Sequence, residues 1–131
     1  MRTRSLVMLS AVIELATGVA LMAVPNLVAR VLLGVGLADS GIAVARLTGI
    51  ALLCLVLACC PTGEDTSTPA IRALLAYNLL AAIYLAYLRV GGGFVSYLLW
   101  PACGLHALLA LLLLRPACEK ILGKAARTNK Q

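Results

Sequence analysis

Charge is what this sequence has least of. Among 131 residues only five are acidic and eleven basic, together 12% of the chain. A soluble domain of this length leaves most residues near water and needs polar side chains to meet it. A chain that is 63% hydrophobic, with a mean hydropathy of +1.02, lacks them. The shortage excludes a soluble globular protein and points to an integral membrane one. Aromatics are equally thin at 5%, and none interleaves with a basic patch, so the net charge of +6 is not a nucleic-acid signal. A single histidine, His106, excludes a bis-histidine haem within one chain, and a metal site built on His106 and Glu14 alone is short of ligands. There is no C-x-x-C pair, no glycine-rich phosphate loop and no serine triad. No cofactor is implied, and the chain reads as non-enzymatic.

What is abundant is uninterrupted apolar sequence. Four runs stand out, about 6–24, 42–60, 70–88 and 97–114, the first two stopping at Pro25 and Pro61. Each is close to the roughly 20 residues a helix needs to cross a ~30 Å hydrocarbon core. The runs are rich in Leu and Ala and lack the alternation of a barrel strand. Because backbone groups in hydrocarbon must satisfy one another, the runs predict a single domain, an all-α bundle of four transmembrane helices. MRTR before the first run fits the beginning of a signal peptide, but Glu14 inside the apolar stretch and the lack of an A-x-A site argue against cleavage.

Four spans place both ends on one side. That side holds Arg2, Arg4, Arg72, Arg115, Lys120, Lys124, Arg127 and Lys130, while the opposite loops hold only Arg30 and Arg89. By the positive-inside rule both termini are cytoplasmic, and residues 115–131 form a basic tail suited to lie against anionic headgroups. Among the loops, Pro61–Pro69 reads as a polar turn in water, and RVGGGFVS (Arg89–Ser96) as a tight turn whose glycines permit positive φ. NLVARVLLGVGL is too short and too charged to span. With Leu27, Val28, Val31 and Leu32 at helical spacing, it predicts a short helix lying along the outer interface.

Against this apolar background a few polar residues stand out. At 1.5 Å per residue, Glu14 in the first span, Asn78 in the third and His106 in the fourth all lie roughly 12 Å from the cytoplasmic side. Small residues share their helix faces: Ser10, Thr17 and Gly18 with Glu14, Ala81 and Ala82 with Asn78, and Ala102, Cys103 and Ala110 with His106. Small residues let helices approach, so these faces are expected to meet one another. A charge at mid-bilayer costs at least about 2.5–3.5 kcal/mol, so Glu14 should be protonated or hydrogen-bonded to His106 or Asn78. Arg46 lies one turn inside the outer end of the second span, where it either snorkels outward or reaches toward Glu14 through water. Glu14, Asn78, His106, Arg46 and Tyr77, beside Asn78 in the AYN triplet, are the candidates for binding or proton handling.

Five cysteines invite a redox reading. None falls in an outer loop, where an oxidising compartment would favour a disulfide, so they read as small side chains in packed helices.

Several fragments together, ELATG, VARLTGIALL, AYN and LLWPACGLH, resemble a family of small four-helix bacterial membrane proteins of uncharacterised role, over nearly the whole chain. That resemblance implies a bacterial inner membrane and brings no activity with it. More locally, AVIELATGVALM is similar to the first helix of the small multidrug resistance transporters. This second resemblance implies that Glu14 binds protons and cationic drugs in competition, within a homodimer. Two functions are therefore expected in order. The first is a non-enzymatic accessory or structural component of a membrane assembly, whose partners are the bilayer and other transmembrane helices or a second copy. The second is a small proton-coupled transporter or channel-like binder centred on Glu14.

Overall fold

The computed structural model describes residues 3–60 and 67–128, with side chains as far as Lys120. The described residues form five helices: α1 (Thr3–Ala23), α2 (Pro25–Leu33), α3 (Asp39–Cys59), α4 (Thr68–Val90) and α5 (Leu99–Thr128). Four of them, α1, α3, α4 and α5 as far as Lys120, are long and apolar enough to cross a membrane. The protein is a multi-pass membrane bundle of four spans, and α2 is the short helix expected between the first two.

Local chemistry sets the boundaries. Pro25 opens α2, where its missing N–H costs nothing. Gly34 closes it in the left-handed region at φ 78°, its N–H bonded to the Arg30 carbonyl. Ser67 caps α4 by accepting a hydrogen bond from the Ala70 N–H. The three-glycine turn holds its reversal with Gly93 at φ 70°. Two boundaries differ from the sequence expectation. Arg89 belongs to the last turn of α4 rather than to the turn itself. The helix of the fourth span also runs past residue 115: α5 continues through Pro116 to Thr128, into the basic segment. Proline's fixed φ is compatible with helix, and the residues beyond it are mostly good helix formers. Residues 61–66 of the polar loop, and the side chains of Lys124, Arg127 and Lys130, lie outside the described residues.

The bundle is built as two hairpins, α1 against α3 and α4 against α5. In lipid there is no hydrophobic drive between helices, so close approach and buried hydrogen bonds must hold them. The α1–α3 crossing shows the first requirement. A Cβ on Gly49 would stand 2.7 Å from the Gly18 carbonyl oxygen, and one on Gly18 would stand 3.0 Å from that of Gly49. Across α4 and α5, the Cys103 thiol donates to the Ala82 carbonyl at 3.3 Å. The hairpins join at the end of the bundle that carries the chain termini. There Leu6, Val7, Cys59, Ile71, Leu74 and Leu113 form a closed core. Leu47, Leu57 and Leu111 remain exposed on the flanks, as lipid-facing positions should.

Candidate functional site

Above that core the hairpins leave a cleft of about 910 Å³ between them, lined by all five helices. Its walls are almost wholly Leu, Val, Ile and Ala, and its deepest polar groups are Tyr77 and His106. It runs from those residues toward Tyr84 on α4 and Leu98 before α5, a depth of roughly 10 Å at 1.5 Å per helical residue. The loops at the α2 end are tied together. Ser96 donates its hydroxyl to the Val31 carbonyl at 2.6 Å, and Asn26 accepts from the Leu37 N–H at 2.9 Å. The Ser96 bond holds α2, which supplies Leu27, Val28, Val31 and Leu32 to the cleft, against the loop preceding α5.

At the floor the structure brings Glu14, Asn78 and His106 together. Asn78 is fully buried, and its Nδ2 donates both hydrogens, one to Ser10 Oγ at 3.0 Å and one to the Leu74 carbonyl at 2.8 Å. His106 Nδ1 lies 2.9 Å from Asn78 Oδ1 and 4.0 Å from Glu14 Oε1. Tyr77 packs its ring edge-on to His106, centroids 5.8 Å apart, and its hydroxyl closes no hydrogen bond to Glu14. Of the two expected states of Glu14, the hydrogen-bonded one is not the one seen: its carboxyl is bonded to neither His106 nor Asn78. Its side chain has no exposed surface, yet neither carboxyl oxygen has a hydrogen-bond partner. The reason is competition, since the one hydrogen on Nδ1 goes to the closer Asn78 oxygen and the Asn78 amide hydrogens are committed elsewhere.

Arg46 is not part of this cluster; its residue is exposed on α3. Placed about two turns from the start of α3, it is long enough to snorkel toward the outer interface. All five cysteines are free. Cys59 is buried in the core with its thiol directed to the Ala70 carbonyl at 3.7 Å. No three His, Cys, Asp or Glu side chains among the described residues are placed to hold a metal ion.

Sequence reasoning missed two parts of this site. Gly49, which sets how closely α1 and α3 cross, was legible as the one glycine in the middle of an otherwise bulky α3. The cleft itself left no local mark, because its apolar walls read like any lipid-facing or core position. Compared with family models, curated proteins and solved structures, the chain matches none. The two resemblances therefore rest on the quoted residues alone.

Proposed function

We propose that this chain is a non-enzymatic protein of a bacterial inner membrane, with both termini cytoplasmic, that binds an apolar small molecule in the cleft between its hairpins. The observation that carries this reading is a fully buried, unpartnered carboxyl, Glu14, in contact with the two residues at the floor of an apolar cleft. A bundle selected only for stability gains nothing from such a group, since an unsatisfied buried polar side chain is destabilising. The volume suits a ligand, at the upper end of the ~300–1,000 Å³ typical of small-molecule sites. The charge bias places the cleft toward the outer leaflet, with the closed core on the cytoplasmic side. This is the binder of the second expected function, with Glu14 as its proton-handling group. An accessory role with other transmembrane helices or a second copy would use the exposed leucine flanks. Lipid covers such flanks equally well, so the cleft carries the proposal.

The test is saturable photolabelling. A dodecyl probe bearing a diazirine at mid-chain, added to the protein in vesicles, is expected to label Ala81 or Leu105 in the cleft. Excess unlabelled dodecanol should suppress that labelling while leaving the lipid-facing Leu111 labelled as before. Ala81→Trp, which fills the cleft, should abolish the saturable part. Labelling at Ala81 and Leu105 that is as unsaturable as that at Leu111 would mean bilayer chains occupy the space, and the proposal would fail.

A further inference from the structure

The chemistry of the ligand's polar end follows from the hydrogen-bond chain at the cleft floor, taken one atom at a time from a group whose role is fixed. The Leu74 carbonyl can only accept. The end of the Asn78 amide that lies 2.8 Å from it must therefore be Nδ2, and its second hydrogen goes to Ser10 Oγ. The other end, Oδ1, can only accept, so the imidazole Nδ1 at 2.9 Å must donate. That assigns the proton on the ring. A neutral His106 carries its hydrogen on Nδ1, and Nε2 is left with a bare lone pair. The ring keeps 14% of its side-chain surface, lines the cleft, and has no protein partner at Nε2. An imidazolium would instead put an unpartnered N–H into apolar surroundings, with Glu14 at 4.0 Å too far to close a hydrogen bond.

Among the remaining polar groups at depth, the two threonines offer the cleft no donor. The Thr17 hydroxyl hydrogen is committed to the Ile13 carbonyl and that of Thr48 to the Val44 carbonyl, each at 2.9 Å. The Tyr77 hydroxyl closes no hydrogen bond to Glu14 and is the donor that stands beside the imidazole. Glu14 itself is not in the cleft lining and has no exposed surface, so an incoming molecule meets the imidazole and not the carboxyl. An ammonium entering this space would find no negative charge to touch, whereas a neutral hydroxyl needs only an acceptor. Ketones, esters and ethers leave the Nε2 lone pair without a donor.

We infer that the cleft takes an apolar chain ending in an uncharged hydroxyl, which donates its hydrogen to Nε2 of His106. This rests on the binding reading above and adds the identity of the head group. Asn78 is the positioning residue: by accepting from Nδ1 it fixes the ring orientation and turns the acceptor nitrogen toward the ligand.

Because the chain has one histidine, nitrogen-15 labelling of histidine reports on this site alone. In the full-length protein in vesicles, the spectrum is expected to show a protonated Nδ1 and an unprotonated Nε2. Dodecanol should shift the Nε2 resonance in the direction of hydrogen-bond acceptance, while dodecane and dodecyl methyl ether should not. In competition against the photolabel, dodecanol should be about three- to tenfold more effective than the ether, the worth of one net hydrogen bond. His106→Phe should abolish that preference and leave the alkane's competition intact. A free-state spectrum with Nε2 protonated would overturn the inference, as would equal competition by alcohol and ether, or stronger competition by dodecylammonium. These outcomes are distinct from failure of the binding reading, in which none of the probes saturates the cleft. The wild-type spectrum decides the head group even if His106→Phe does not fold.

Discussion

At the scale of single residues, the polar cluster divides into groups that hold the bundle and one that does not. Asn78 directs both amide hydrogens and its oxygen at partners, on α1, on α5 and on its own helix. Replacing it with leucine strands Ser10 and His106, and is expected to lower stability by about 1–2 kcal/mol in detergent unfolding, the upper range for interhelical bonds in membranes. Ser10→Ala should cost less, about 0.6 kcal/mol or below, because Nδ2 keeps the Leu74 carbonyl. Glu14→Gln should leave the unfolding midpoint unchanged or raise it, since no hydrogen bond to the carboxyl is lost. A fall of more than about 1 kcal/mol in that variant would show that the carboxyl is structural after all and would remove the basis for a binding role. The depth shared by Glu14, Asn78 and His106 was legible from helix rise alone. Which of them bond was not, because that depends on rotations of a few degrees about each helix axis. Those rotations sent the Nδ1 proton to Asn78 and left the acid alone.

Elements are positioned by glycine contacts on one side and by loop hydrogen bonds on the other. Gly49→Ala places a methyl group 2.7 Å from a backbone oxygen and 2.8 Å from Met22 Cγ, so α1 and α3 must part. The expected loss is about 1–3 kcal/mol, and larger than for Gly18→Ala. Gly104→Ala, with no atom within 4 Å of the new methyl, is the control and should be neutral or stabilising by up to about 1 kcal/mol. Equal effects at positions 49 and 104 would refute a close α1–α3 crossing. Ser96→Ala cuts the bond that holds the Val31 carbonyl. Faster amide exchange confined to α2, with the spans unchanged, is the expected result. The short helix α2 was legible from its spacing and its proline, but its attachment to a loop 65 residues away was not. Hydropathy reports how apolar a segment is and says nothing of what lies opposite it.

For the whole molecule the asymmetry is between a closed end and an open one. The terminal end packs Ile71, Leu74 and Leu113 with no exposed surface, whereas the other end keeps a cleft rimmed by α2. The proposed orientation sets that rim outward and makes a prediction with native and introduced thiols. Val95→Cys, at a position 75% exposed in the turn before α5, should react with a membrane-impermeant maleimide added outside intact cells. Cys118, exposed near the other end of α5, should gain reactivity only after the membrane is opened. The reverse pattern would invert the topology and turn the cleft toward the cytoplasm.

The sequence alone determined the class of molecule, the number of spans, the short helix between the first two, and the common depth of three polar side chains. These follow from quantities that are local along the chain, the length of apolar runs and the rise of a helix. Only the tertiary structure decided that the hairpins close at one end and part at the other, that Arg46 stays outside the cluster, and that Glu14 is left without a hydrogen bond. Each of those depends on how closely two helices approach and which faces they turn to one another, and in lipid that is settled by contacts such as Gly18 against Gly49 between residues far apart in the chain.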